Sequence, residues 1–190
     1  SMIVSNRLDE QIRIHVETMH QALQVAEYGQ DDRLFYVMGT GAHSGSGGAS
    51  EEACARQMAS MPASKERYLH LGLKLQVNGR LIMLAHKGPT LGARSWLSGN
   101  MVRFYLRDLY ITCLENCCTK PAAVVFSHRH RWIEPELANG IMGFATPSFQ
   151  GPTWYSSGII STDWVSSIGM LILVIDDAGR LSWVCPRMRL

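Results

Sequence analysis

The stretch Pro-Ala-Ala-Val-Val-Phe-Ser-His-Arg-His, residues 121–130, decides the fold. Thr119, Lys120 and Pro121 end a helical pattern, and the apolar run 122–126 that follows is typical of a strand buried on both faces of a sheet. His128 and His130 come directly after this run. Because they are two residues apart on extended backbone, their side chains point the same way. The stretch therefore predicts a central strand that ends in two imidazoles.

Helical and strand patterns alternate before this strand, and only strand patterns follow it. Apolar residues recur at three-and-four spacing from Asn6 to Tyr28 and from Met101 to Cys117, which predicts two amphipathic helices, and a third begins at Ser50. Strands are predicted at 34–38, 68–77, 81–84, 122–126, 141–145, 168–175 and 181–185, with hairpin turns at 78–79 and 177–179. The predicted fold class is α/β, a layered sandwich of mixed β-sheets flanked by helices.

Length and composition predict one domain spanning residues 1–190, since the chain is 46% hydrophobic and too short for two ordinary cores. The net charge of +2 excludes a large basic field of the kind that binds nucleic acid or anionic membranes non-specifically. Five cysteines, an odd number, and no secretory signal favour the reducing cytoplasm. The apolar run 168–175 is far shorter than the roughly 20 residues that span a bilayer. A sheet edge could support a homodimer.

Three of the cysteines form the pattern C-x3-C-C at Cys113, Cys117 and Cys118. Such a pattern can hold a soft metal ion. On the predicted helix, however, Cys113 and Cys117 share the apolar face, and free cysteine is among the most buried residue types. Burial in the core is the favoured interpretation of these thiols.

The seven histidines fall into two groups. His15 and His20 are five residues apart on the first helix, not on one face, and are interpreted as solvated, while His70 lies inside a strand and is interpreted as structural. The other four each follow an apolar strand and enter a loop. In an open α/β sheet such strand ends converge on one crevice, where ligands bind. These four are His43, His86, His128 and His130.

Three motifs in order along the chain carry a family resemblance. The segments 39–43 (Gly-Thr-Gly-Ala-His), 85–86 (Ala-His) and 127–130 (Ser-His-Arg-His) resemble the second half of calcineurin-like metallophosphoesterases, particularly phage-type and bacterial members. Those proteins have a Gly-Asn-His loop, a middle histidine at a strand end and a closing Gly-His-x-His. The resemblance covers roughly His43 to the carboxy terminus. In this chain Thr40 and Ser127 replace the family's asparagine and glycine, and the family's opening Asp-x-His and Gly-Asp-x-x-Asp motifs are absent.

The resemblance implies a phosphomonoesterase or phosphodiesterase with divalent metal ions, Mn, Zn, Fe or Ni, in a dinuclear centre that activates water. Its substrate would be a phosphoester, such as a nucleotide or nucleic acid. His43 would be the catalytic general acid or would stabilise the transition state. The implied metal ligands are His86 and His128 on one ion and His130 on the other. The implied substrate-binding residues are Thr40, Lys87 and Arg129.

The absent aspartates leave alternatives open. Either the chain is the carboxy-terminal part of such a fold and lacks the segment that supplies them, or the protein is a catalytically inactive binding or regulatory module. His128-x-His130-x3-Glu134, followed by Gly140, also imitates the first metal motif of cupins. No histidine follows for the second cupin motif, and the predicted helices disfavour an all-β barrel. A metal-dependent phosphoester hydrolase is therefore the preferred interpretation.

Overall fold

The computed structural model describes residues 7–39, 48–89, 98–128, 132–147 and 167–189. The chain divides into two compact units, Ser1–Gly72 and Leu73–Leu190. Helices accompany a five-stranded mixed sheet, so the α/β class is confirmed. That residues 1–190 act as a single domain stays a prediction. In the described ranges no helix is both long and apolar enough to cross a membrane.

The first unit contains two helices and a short parallel strand pair. Its elements are α1 (Leu8–Val25), β1 (Tyr36–Val37), α2 (Ala49–Gln57) and β2 (Leu69–His70). Cys54, Ala55 and Leu69 are buried between them. The Glu52 carboxylate on α2 accepts hydrogen bonds from the backbone N–H groups of Tyr68 and Leu69, each at 3.0 Å. A charged side chain thus anchors β2 to α2.

The second unit is built on a sheet with the strand order β3-β4-β5-β7-β6. Strands β4, β5 and β7 run parallel, and the outer strands β3 and β6 are antiparallel to their neighbours. The elements of this sheet and its helix are β3 (Leu73–Val77), β4 (Arg80–Ala85), α3 (Ser98–Glu115), β5 (Ala123–Phe126), β6 (Ile133–Ala138) and β7 (Ile141–Ala145). Two antiparallel pairs complete the unit: β8 (Ser167–Gly169) with β11 (Arg187–Arg189), and β9 (Ile172–Ile175) with β10 (Leu181–Val184).

Strand β5 is buried along its whole length because both faces of the sheet are covered. On one face Val124 and Phe126 pack with Val102 and Leu106 of α3. On the other face Ala123 and Val125 belong to a second cluster. The residues of β9 and β10 packed against that second cluster are Leu173, Ile175 and Leu181. The prediction of a doubly buried strand at the centre of the fold is confirmed.

Two Asn-Gly dipeptides make tight turns. Asn78 and Gly79, with φ of +43° and +73°, join β3 to β4 as predicted. Asn139 and Gly140, with φ of +52° and +72°, join β6 to β7 in the same way. Strand β6 is not among the predicted strands, although this second turn carries the same signal.

The carboxy-terminal end of α3 corrects the prediction for Cys117. The helix ends at Glu115, and Cys117 follows in the left-handed region with φ of +50°. Cys113 is buried as expected, but Cys117 and Cys118 are exposed, so the prediction of burial is wrong for these two thiols. The prediction that Cys113 and Cys117 share an apolar helix face is wrong, because the helix stops before Cys117.

Two predicted strands are interrupted. The strand predicted over 68–77 breaks at 71–72, between β2 and β3, and the strand predicted over 168–175 breaks at 170–171, between β8 and β9. In both cases the apolar pattern continues through the break, although the pairing partner changes there. Each half pairs with a different strand.

Candidate functional site

The carboxyl ends of β4, β5 and β7 lie side by side at one edge of the sheet. Their last residues are in register, with Ala85 opposite Phe126 and Phe126 opposite Ala145. The next residues along each strand are therefore neighbours: His86 after β4, Ser127 after β5 and Thr146 after β7. Ligands of open α/β sheets bind at this edge.

Two of the predicted histidines meet there. His86 Nε2 lies 3.0 Å from His128 Nδ1, so one ring nitrogen donates its proton to the other. The rings are 4.9 Å apart at an angle of 64°, and both residues are half-buried. The convergence predicted for His86 and His128 is confirmed.

Two imidazoles at this separation could both serve as ligands of one metal ion, once the proton that they share is lost. Within the part of the chain that the structure describes, no group of three His, Cys, Asp or Glu side chains could hold a metal ion. The histidine pair would therefore be only part of a metal site.

The backbone at His128 is in the left-handed region, with φ of +73°. Residues with a Cβ atom rarely adopt this conformation, which costs them roughly 1–2 kcal/mol. Just before it, the Ser127 N–H is shared between the carbonyls of Ala85 at 3.3 Å and His86 at 3.2 Å. Backbone conformations of this kind persist where the surroundings determine them, and they cluster at functional sites.

A pair of hydroxyl groups lies beside the histidines. Ser127 Oγ is 3.2 Å from Thr146 Oγ1, and Thr146 also donates its backbone N–H to the Phe126 carbonyl at 2.8 Å. These contacts tie the turn after β5 to the end of β7. Ser127 belongs to a family motif in the sequence, whereas Thr146 is not among the predicted site residues. Their position directly after parallel strands was the signal that could have identified them.

Gly88 allows the segment after β4 to lie close to β5. A Cβ atom at this position would be 2.5 Å from Cγ and 2.7 Å from Cδ1 of the buried Phe126 ring. No real Cβ contact is that short, so glycine is required for this approach. Lys87, the candidate substrate contact next to it, is exposed.

The remaining candidate residues lie outside the described residues. They are Thr40, His43, Arg129 and His130.

The first unit has a cavity of its own, of about 350 Å³, between α1, β1 and α2. On its wall His15 Nε2 is 2.8 Å from the Tyr36 hydroxyl. Burial lowers the pKa of His15 and raises the pKa of Tyr36 to about 12, so the pair is neutral at physiological pH. His15 is exposed, as the sequence predicts, and it also contacts Tyr36 in the folded chain.

His70 has a structural environment, as the sequence predicts. Its Nε2 donates to the Met61 carbonyl at 3.1 Å, and its ring meets the Phe35 ring edge-on at 5.7 Å.

Comparisons with known proteins identify no family for this chain. Neither a protein-family model nor a curated protein matches this sequence. Among solved structures, the solution NMR structure of Thermotoga maritima protein TM1076 is similar, with 19% sequence identity and a TM-score of 0.36. The match covers 68% of this chain and 60% of that chain, which is less than two thirds of its length. This likeness does not identify a function.

Proposed function

We propose that this chain supplies a histidine pair to the divalent-metal centre of a phosphoester hydrolase, a phosphomonoesterase or phosphodiesterase. The observation that supports the proposal best is the 3.0 Å distance between His86 Nε2 and His128 Nδ1 at the carboxyl edge of three parallel strands. The resemblance to calcineurin-like metallophosphoesterases supplies the reaction class.

Imidazole nitrogen is a suitable ligand for each of the ions that the resemblance implies, Mn, Zn, Fe and Ni. When bound, such ions polarise the phosphoryl oxygens and lower the pKa of a coordinated water. The histidines' own role is to hold two nitrogen ligands at fixed separation.

The surroundings of the pair keep that separation. The Ser127 N–H donates to the carbonyls of Ala85 and His86, which links the end of β5 to the end of β4. The hydrogen bond between the hydroxyl groups of Ser127 and Thr146 links the same turn to β7. Because both imidazoles are attached to a sheet covered on both faces, their positions are preorganised for a ligand.

The proposed roles of the remaining candidate residues rest on the family resemblance. His130 would bind a second ion, and His43 would serve as general acid or stabilise charge on the leaving oxygen. Phosphate oxygens would be contacted by Thr40, Lys87 and Arg129. Phosphoester substrates could include nucleotides and nucleic acid, and a homodimer through a sheet edge belongs to the same proposal.

Hydrolysis of bis-p-nitrophenyl phosphate with added Mn²⁺ tests the reaction class. We expect turnover by the wild-type chain that disappears with a chelator and in both His86→Ala and His128→Ala. His20→Ala, a histidine on the exposed surface of α1, is the matched control and should keep wild-type activity.

Two outcomes would contradict this proposal. Metal binding through the pair without hydrolysis would indicate the binding or regulatory module. Hydrolysis that survives both histidine substitutions would place the active centre elsewhere.

A further inference from the structure

Two cysteines occupy facing positions at the end of α3. The Cys118 N–H donates to the Cys113 carbonyl at 2.9 Å, and the Cys117 N–H donates to the Leu114 carbonyl at 3.3 Å. Together with the left-handed φ of Cys117, these bonds form a Schellman motif. In this motif the side chains of the first and last residues frequently touch, and here those residues are Cys113 and Cys118.

Their backbones are close enough for a disulfide. The 2.9 Å hydrogen bond, added to the standard bond lengths on either side of it, limits the distance between the two Cα atoms to at most about 6.8 Å. Disulfides span Cα distances of about 4.4–6.8 Å. The Cys113 thiol also points toward this segment, since its Sγ lies 3.9 Å from the carbonyl of Thr119, the residue directly after Cys118.

The third cysteine is placed differently. Cys117 Sγ lies 4.0 Å from the Leu114 carbonyl. The C-x3-C-C pattern therefore contains one facing pair, Cys113 with Cys118, and one separate exposed thiol.

We propose that Cys113 and Cys118 are a dithiol modification site that a small-molecule disulfide of the glutathione type oxidises to an intramolecular disulfide. The exposed Cys118 thiolate attacks one sulfur of the reagent, forms a mixed disulfide and releases one thiolate. The Cys113 thiol then loses its proton to solvent, attacks Cys118 Sγ and expels the second thiolate. The protein loses two electrons and two protons, and the reagent is reduced to two thiols.

The difference in exposure sets the order of these steps. Cys118 is exposed and Cys113 is buried, so the reagent reaches Cys118 first. Burial also raises the pKa of Cys113, which keeps it as a thiol until the mixed disulfide lies beside it. The product would fix the end of α3 to the segment that leads into β5.

The test is oxidation of the full-length chain with oxidised glutathione, followed by alkylation and digestion after Glu115. This cut separates Cys113 from Cys118, so their fragments stay together only through a disulfide. We expect reactive thiols to fall from five to three and a linked fragment pair to appear. The pair should persist in Cys117→Ser and be lost in Cys118→Ser.

Three results would overturn the proposal: glutathione mixed disulfides that never close, a link through Cys117, or closure that Cys117→Ser abolishes. Circular dichroism of each reduced variant shows whether it is folded. Neither histidine takes part in this reaction, so its outcome is independent of the hydrolase proposal.

Discussion

Replacing His128 by glycine and, separately, by alanine measures the strain stored at the candidate site. Both substitutions remove the imidazole and its hydrogen bond to His86, so those losses cancel in the comparison. What differs is the backbone. Alanine keeps the Cβ atom that disfavours a φ of +73°, and glycine does not.

The expected difference follows from two opposing contributions. The left-handed conformation costs a residue with a Cβ atom roughly 1–2 kcal/mol, which glycine avoids. Glycine in turn makes the unfolded chain more flexible, which costs about 0.4–1 kcal/mol. The glycine variant should therefore be the more stable of the two by about 0.5–1 kcal/mol. For a chain of this size that corresponds to a rise of about 1–4 °C in Tm.

Urea unfolding followed by tryptophan fluorescence gives this difference directly. Asn139, in an exposed turn with φ of +52°, is the matched control position, where the glycine variant should again be more stable than the alanine variant. Equal stability of the two His128 variants, with the Asn139 pair behaving as expected, would refute a strained backbone at the site. Both His128 variants should bind metal more weakly than the wild type, whichever of them is more stable.

The remaining predictions concern the frame around the site. Gly88→Ala should destabilise the fold by about 1–3 kcal/mol in urea unfolding, because its Cβ would overlap Phe126. Adding Phe126→Leu to this variant should recover part of the loss. An unchanged urea midpoint in Gly88→Ala would contradict the close approach of Gly88 to Phe126. Phe144→Ala, at a fully buried side chain, should cost about 3–5 kcal/mol, and a loss below 1 kcal/mol would show that the second core cluster is loosely packed. Burial opposes ionisation of Glu52, but the N–H groups and guanidinium around it outweigh burial and hold its pKa below the ordinary 4.5. Its stabilisation is then complete above pH 4.5 and is lost as the pH falls through the lower folded value. Glu52→Gln should accordingly lower the free energy of unfolding at pH 7 by about 1–3 kcal/mol, and the difference from the wild type should disappear in acid. A difference that does not change with pH would contradict a stabilising role for the Glu52 carboxylate.

The sequence predicts those parts of the fold whose signals are local. Strand β5 begins within one residue of its predicted start at Ala122 and ends at Phe126 as predicted, because a proline and a continuous apolar run bound it. The Asn78-Gly79 turn needs no information beyond the dipeptide. Strand β6 was missed because Glu134, Pro135 and Glu136 do not resemble a strand. Its place at the edge of the sheet explains why proline is tolerated there.

The candidate site is predictable only in outline. That His86 and His128 would converge follows from the strand-end rule, since both come after parallel strands. Their contact of 3.0 Å and the left-handed backbone of His128 depend on the register of β4 with β5, which no local pattern encodes. The contact of His15 with Tyr36 was missed for the same reason, since 21 positions separate them in the sequence.

Calorimetric titration of the chain with Mn²⁺ tests the central claim most directly, using the wild type, His86→Ala, His128→Ala, the double variant and His20→Ala. If the two imidazoles share one ion, each single substitution should weaken binding by more than the roughly 10- to 100-fold that loss of an outer-shell partner costs. The double variant should then be little worse than either single variant, and His20→Ala should match the wild type. Equal Mn²⁺ affinity in the wild type and in both single variants would contradict the account.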